Sequence, residues 1–198
     1  LNYCDDQIWL SPDNQLIEGH VSKLKELGYD LELEEKGDTF GFLGIEFKLD
    51  GTIIHLTQTG LIEKVIKHTK MTDATGKSTP AAVQPLGRDA DGEPFSEDWS
   101  YSAAVGMLLY LSSNSRPDLT FATSQVARFS HSPKKSHGQA LKRIIRYLIV
   151  TSEQGIRFQP TPNQGLDCYV DADFSGLFGY EDDQDPTSVK SRTGFVLT

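Results

Sequence analysis

Between Asp73 and Asp98 the chain carries Pro80, Pro85, Gly87, Gly92 and Pro94, and its second half holds Asp89, Asp91, Glu93, Glu97 and Asp98. Proline removes a backbone donor and glycine loses the most freedom on ordering, so this stretch breaks any regular element. Regular structure has to be built on either side of it. Before it, strand-like and helix-like patterns alternate. After it, the patterns are helical up to about Pro160. We therefore place a linker and domain boundary at 73–98 and read the chain as α+β, with further units at 1–72, 99–160 and 161–198.

The first unit opens on Tyr3-Cys4-Asp5-Asp6. Neighbouring side chains on a straight strand point to opposite faces, so Asp5 and Asp6 can serve one metal only where the chain turns. Aspartate tolerates such a turn, and a hairpin tip bearing both would be a natural Mg²⁺ ligand pair for phosphoryl chemistry. A solvated turn carries the same residues. Ser11-Pro12-Asp13-Asn14 then reads as a helix start; Leu16, Ile17, His20, Val21, Leu24 and Leu27 recur at helical spacing, and Gly28 is the stop. Phe40 to Leu56 reads as a β-hairpin turning at Asp50-Gly51. Phe40 and Phe42 alternate out of phase with Leu43, Ile45, Phe47 and Leu49, which predicts a bulge between Gly41 and Gly44. Thr57 to Lys70 reads as a helix with Leu61, Ile62, Val65 and Ile66 on one face and Lys64, Lys67 and Lys70 on another. Such a stripe either follows a phosphate backbone or is simply solvated.

In the third unit, Tyr101 to Ser112 is apolar with small residues and predicts a buried helix; Arg116-Pro117-Asp118 interrupts, and Leu119 to Phe129 continues helical. Ser132-Pro133 predicts a further helix capped by Ser132, with Ala140, Leu141, Ile144, Ile145 and Leu148 inward. Lys134, Lys135, His137, Lys142, Arg143 and Arg146 make this the most basic part of the chain, open to either a nucleic-acid contact or solvation. Finally, Leu166 to Val170 forms a strand leading into Asp171-Ala172-Asp173, and Ser191 to Leu197 pairs with it across a long acidic loop.

Composition narrows the classes. Over 198 residues the net charge is −9, which disfavours a simple electrostatic nucleic-acid binder, although basic faces remain outside the acidic runs. Cys4 and Cys168 are the only cysteines and have no metal-ligand spacing, which fits a reducing compartment and argues against a disulfide scaffold. No apolar run is long enough for a bilayer and no signal-peptide pattern is present, so no membrane partner is expected.

Several landmarks stand in one order: Tyr3-Cys4-Asp5-Asp6, Phe42-Leu43-Gly44-Ile45-Glu46, Leu56-Thr57-Gln58, Val105-Gly106 with Leu108-Leu109-Tyr110-Leu111, Arg116-Pro117-Asp118, Lys142 to Leu148, and Tyr169-Val170-Asp171-Ala172-Asp173. Together they resemble the reverse transcriptase–ribonuclease H segment of copia-type LTR retrotransposon Pol polyproteins. The resemblance implies a partial palm hairpin, primer grip and start of thumb over 1–72, a connection region over 99–160, and the first strands of a ribonuclease H-like sheet over 161–198. It implies that Asp5 and Asp6 are polymerase metal ligands, with Cys4 where the family usually has valine, and that Asp171 is the first nuclease carboxylate. Phe174 stands where the family often has tryptophan. Tyr3, Phe42, Leu43, Gly44, Gln58, Lys64 and Lys67 would touch nucleic acid.

The implied cofactor is a pair of Mg²⁺ ions held ~3.5–4 Å apart. The implied partners are an RNA/DNA template–primer duplex, deoxynucleotides and the remainder of the Pol polyprotein. The implied location is a cytoplasmic virus-like particle. Further carboxylates are expected before Leu1 and after Thr198, so this chain alone is expected neither to polymerise nor to cleave. Two other readings stand beside it: a non-catalytic template–primer binding module, and a degenerate transposon remnant.

Overall fold

A computed structural model describes residues 2–4, 6–9, 11, 13–31, 37–159, 161, 165–174 and 190–198. Within it, residues 73–98 form no helix or strand beyond an isolated bridge between Pro94 and Lys134. Their second half nevertheless lies close against residues 133–138. The Phe95 N–H donates to the Pro133 carbonyl at 3.0 Å, and the Lys135 N–H to the Glu93 carbonyl at 2.8 Å. A Cβ on Gly138 would stand 2.7 Å from the Phe95 ring, so only glycine lets the strap lie this close.

Helix α1 spans Asn14–Glu26 after the short strands β1 (Asn2–Tyr3) and β2 (Asp6–Gln7). Its cap is Asp13, whose carboxylate accepts the Gln15 N–H at 2.9 Å; Pro12 lies outside the described residues. Gly28, at φ +87°, ends the helix as the sequence indicates, with the Tyr29 N–H reaching back to the Leu24 carbonyl. None of its residues is buried.

Next come β3 (Thr39–Phe42), β4 (Ile45–Asp50) and β5 (Ile53–Thr57), an antiparallel meander. The expected bulge is absent. Leu43 and Gly44 instead form a two-residue hairpin turn with φ of +53° and +72°. A tight reversal and a bulge both shift the alternation, and here the reversal is the cause. Phe40 and Phe47 then face each other across the pair with rings stacked at 5.0 Å.

Helices α2 (Thr59–His68), α3 (Tyr101–Asn114), α4 (Thr120–Ala127) and α5 (Lys135–Val150) build the core. Ile62 and Val65 of α2 pack with Leu108 and Leu111 of α3 and with Leu141, Ile144 and Leu148 of α5. The core thus includes residues from both sides of the strap. So does the sheet: β6 (Ile156–Phe158), which the sequence pattern does not announce, pairs antiparallel with β5. A separate hairpin joins β7 (Cys168–Asp173) to β8 (Arg192–Leu197), as expected.

The cap of α5 differs from expectation. It is Lys134 and not Ser132, and the Lys134 N–H is taken by His137 Nδ1 at 2.9 Å. The other ring nitrogen, Nε2, donates to the Gly87 carbonyl at 3.0 Å, which fixes the neutral tautomer. The ring is fully buried and stacked on Phe129 at 3.9 Å. Burial therefore holds the His137 imidazole below its ordinary value of 6.5, against the opposing pull of the Gly87 carbonyl and Asp89.

Arg116-Pro117-Asp118 is a locking point. Arg116 is 1% exposed, and its Nε and Nη2 donate to both oxygens of Asp118 at 3.0 and 2.8 Å. Its Nη1 donates to the Thr151 carbonyl and Nη2 to the Thr151 hydroxyl, each at 2.8 Å. The Tyr147 hydroxyl donates to Asp118 Oδ2 at 2.9 Å. Partial burial opposes ionisation of Asp118, but these donors and the guanidinium charge hold its carboxyl below the usual carboxylate value.

Asp118→Asn should cost about 2–3 kcal/mol in urea unfolding, less than a fully buried pair because Asp118 is partly solvated. The double change Arg116→Met with Asp118→Leu should cost less than Asp118→Asn alone; a larger loss would contradict the lock.

A second expectation concerns pH. The unfolded chain binds a proton at His137 more readily than the folded one. Stability from this site is therefore full above about pH 6.5 and falls as pH drops below it. Melting temperature should fall between about pH 7 and 5, a window above the ordinary range of the carboxylates, and His137→Gln should flatten that fall. An unchanged slope in the variant would remove His137 as its source.

Candidate nucleic-acid interface

The residues singled out from the sequence fall on three separate parts of the fold. In the N-terminal hairpin, Asn2 pairs with Gln7 and Tyr3 with Asp6, and the chain reverses at Cys4, φ +48°. Asp5 lies outside the described residues, and Asp6 is placed through its backbone. Tyr3 is exposed. Trp9, which follows β2, donates its indole N–H to Gln7 Oε1 at 2.9 Å and sets its ring 4.2 Å from that of His20 in α1.

The second part is the turn at Leu43-Gly44 together with helix α2. Phe42 and Leu43 are half-buried, while Gly44 is exposed with nothing within 4 Å of where a Cβ would stand. Glycine is used here for its positive φ, and the backbone stays open to approach. The turn does not hang free: the Tyr110 hydroxyl of α3 donates to the Leu43 carbonyl at 2.7 Å. That tie fastens the hairpin tip to the helical core. Sequence reasoning did not find it, because nothing local to Tyr110 points 67 residues back along the chain.

The helix after the meander supplies the lysines. Lys64 and Lys67 are exposed on α2, with Lys67 3.7 Å from Glu63 one turn away. Lys70, third in the stripe, is ion-paired with Asp98 of the strap. Gln58 is turned inward. It precedes α2, is buried, and its Oε1 accepts the Ser115 hydroxyl at 2.7 Å, so it joins the start of α2 to the end of α3.

The most basic helix, α5, is largely engaged by the strap. Lys135 pairs with Glu93 at 2.8 Å and Lys142 pairs with Glu97. Lys134 Nζ donates to the Gly92 carbonyl at 3.1 Å, and Arg143 Nη2 to the Thr79 hydroxyl at 2.7 Å. Arg146 Nε donates to the Thr75 carbonyl. Two of these cations are thus answered by carboxylates of the strap, and the other three donate to neutral oxygens.

The third part is Asp171, exposed on β7 opposite Gly194. It belongs to a different sheet from the N-terminal hairpin. Among the described residues, no group of three or more His, Cys, Asp or Glu side chains is placed to hold a metal ion. Cys4 and Cys168 are both exposed free thiols. No helix among the described residues is long and apolar enough to cross a membrane.

Comparison with known proteins gives a consistent picture. Residues 2–83 match the family described as reverse transcriptase (RNA-dependent DNA polymerase). The retrovirus-related Pol polyprotein from transposon RE1 of Arabidopsis thaliana is 34% identical over 89% of this chain, which covers 12% of that polyprotein. The corresponding polyprotein from transposon TNT 1-94 of Nicotiana tabacum is 31% identical over 100% of the chain, covering 15% of its length. An uncharacterised mitochondrial protein of Arabidopsis thaliana is 26% identical over 98% of the chain, and here 76% of the relative is covered. The chain thus spans only a small part of the polyproteins it matches. No solved structure matches it significantly.

Tyr110→Phe tests the tie between turn and core. It should lower stability by about 0.5–1.5 kcal/mol. It should also speed amide exchange in the Phe42–Glu46 segment while leaving α5 protected. Unchanged exchange at the turn would mean the hydroxyl does not hold it.

Proposed function

Since the chain belongs with the reverse transcriptases of copia-type retrotransposon Pol polyproteins, we propose that it is the part of the enzyme that holds the template–primer duplex behind the polymerase site. The observation that carries this reading is the open Leu43-Gly44 turn held to the helical core by Tyr110. A primer strand needs a backbone platform that is both accessible and fixed, and this turn has both properties. Lys64 and Lys67 on α2 add exposed positive charge for phosphate contact, and Phe42 and Leu43 brace the turn from within. Gln58 acts as a positioning residue in this reading, because its side chain is engaged with Ser115.

The metal chemistry belongs to the larger polyprotein. Mg²⁺ would supply charge stabilisation for nucleotidyl transfer from deoxynucleotides. The described residues do not by themselves assemble a ligand set for it. Asp5 and Asp6 are proposed as its ligands once the remaining Pol segments are present, and Asp171 as a ribonuclease H carboxylate in the same sense. On this account the chain by itself binds duplex and catalyses neither reaction. Tyr3, exposed and paired through its backbone with Asp6, would contact the primer end.

One observation favours a second reading. A short mitochondrial relative is covered over 76% of its length, so segments of this extent also stand alone as separate proteins. A self-standing remnant without duplex binding is the alternative.

Fluorescence anisotropy with a labelled RNA–DNA hybrid separates the two. Binding should weaken on raising salt from about 50 to 200 mM, as phosphate contacts require. Lys64→Glu with Lys67→Glu should weaken it at least about tenfold and flatten the salt dependence. Asp6→Asn should leave it intact, because a metal ligand is not needed to hold the duplex. Absence of binding at about 50 mM salt would favour the remnant.

A further inference from the structure

The first half of the strap crosses α4 and α5 without filling the space beneath it. A cavity of about 820 Å³ remains there, within the range of small-molecule sites. Its walls are unusual in what they leave unpaired. Gln125 of α4 is only 5% exposed; its Oε1 accepts the Leu86 N–H at 3.3 Å, and its Nε2 is buried with no partner. Arg143 of α5 donates through Nη2 to Thr79, yet its Nε is buried and also without a partner.

Both unpaired atoms on this wall are donors. Buried donors left without an acceptor are costly and rare in folded proteins, so such a pair marks a place where acceptors are missing. The charge around them has the same sense. Lys77, Arg143 and Arg146 line the cavity, Lys142 is already paired with Glu97, and Asp73 is the single carboxylate among the lining residues. The rest of the wall is largely apolar, including Met71, Leu86 and Ile144, together with Phe121, which is 54% exposed.

We propose that this cavity binds a small organic anion, with a phosphate or carboxylate head on Gln125 Nε2 and Arg143 Nε and a flat apolar body against Phe121 and the aliphatic wall. The head supplies the missing acceptors and answers the surplus positive charge. The body removes apolar surface from water. Neither the Leu43-Gly44 turn nor the α2 lysines line the cavity, so this site stands independently of duplex binding.

Isothermal titration of the intact chain with naphthyl phosphate, naphthoate and inorganic phosphate tests it. One or both aromatic anions should bind saturably, and the preferred one identifies the head group. Inorganic phosphate should bind at least about tenfold more weakly, because it lacks the apolar body. Gln125→Leu and Arg143→Met should each weaken binding by about tenfold or more. Ala140 also lines the cavity, and Ala140→Phe should weaken binding by occupying part of it while keeping both donors. Circular dichroism melting confirms which variants fold, and Ala140→Phe carries the test if Gln125→Leu does not. No heat with either aromatic anion at about 1 mM would mean a merely hydrated space and overturn the proposal. So would undiminished binding in Ala140→Phe, or inorganic phosphate binding as tightly as its naphthyl ester.

Discussion

The arrangement of this protein depends on one buried charge. The Arg116 guanidinium cannot be neutralised by losing its proton, so every donor it buries must be answered in place. Asp118 answers two through its carboxylate, and the carbonyl and hydroxyl of Thr151 answer two more. Because the guanidinium is planar and rigid, meeting both partners sets an angle as well as a distance. Arg116 follows α3, Asp118 leads into α4, and Thr151 ends α5. Three helices are therefore locked at one corner. From that corner the chain runs directly into β6, which pairs with β5 and joins the meander to the same core. The position of the Leu43-Gly44 turn is thus set twice, by this route through the sheet and by Tyr110 from α3.

Electrostatics in this chain is a matter of local pairing. A net charge of −9 suggests poor affinity for phosphate, while the basic run on α5 suggests the opposite. Neither average describes the surface. The acidic strap and the basic helix are folded against each other, so much of both charge excesses is spent internally. Lys64 and Lys67 remain exposed on α2, outside this pairing of strap and helix. His137 belongs to the same arrangement. Its two ring nitrogens join the start of α5 to Gly87 of the strap, a task that glutamate performs at only one end in the usual capping box.

Much of the fold was legible because its signals are local. Apolar spacing located α2 through α5, Gly28 ended α1, and Gly51 at φ +60° opened the β4–β5 turn. What escaped was either ambiguous or long-range. Leucine at φ +53° is not a turn signal, so the reversal at Leu43-Gly44 read as a bulge. β6 has three residues and exists only because β5 offers an edge. Ser132 has the composition of a cap, but His137 serves the Lys134 N–H and moves the helix start. Gln58 reads as a surface residue until Ser115, 57 positions later, gives it a buried partner. The landmark order located the Pol segment from the sequence, whereas the tie from Tyr110 and the unpaired donors of Gln125 and Arg143 are tertiary facts with no local signature.

Stability and chemistry are also unevenly distributed. The apolar residues of α2 to α5 close on one another, whereas α1 has no buried residue and no described residue of β7 or β8 is buried. Burial of apolar surface is the main source of folding free energy, so the helical core carries most of it and the outer elements little. The carboxylates belong to those weakly supported elements: Asp6 lies in the two-residue strand β2, and Asp171 lies on an exposed hairpin. The Leu43-Gly44 turn belongs to the core through Tyr110. A catalytic carboxylate has to be held closely in place before it can act. A backbone platform for a phosphate needs only a fixed, open turn. On the proposed reading, the same chain would therefore give firm support for holding a duplex and poor support for acting on it.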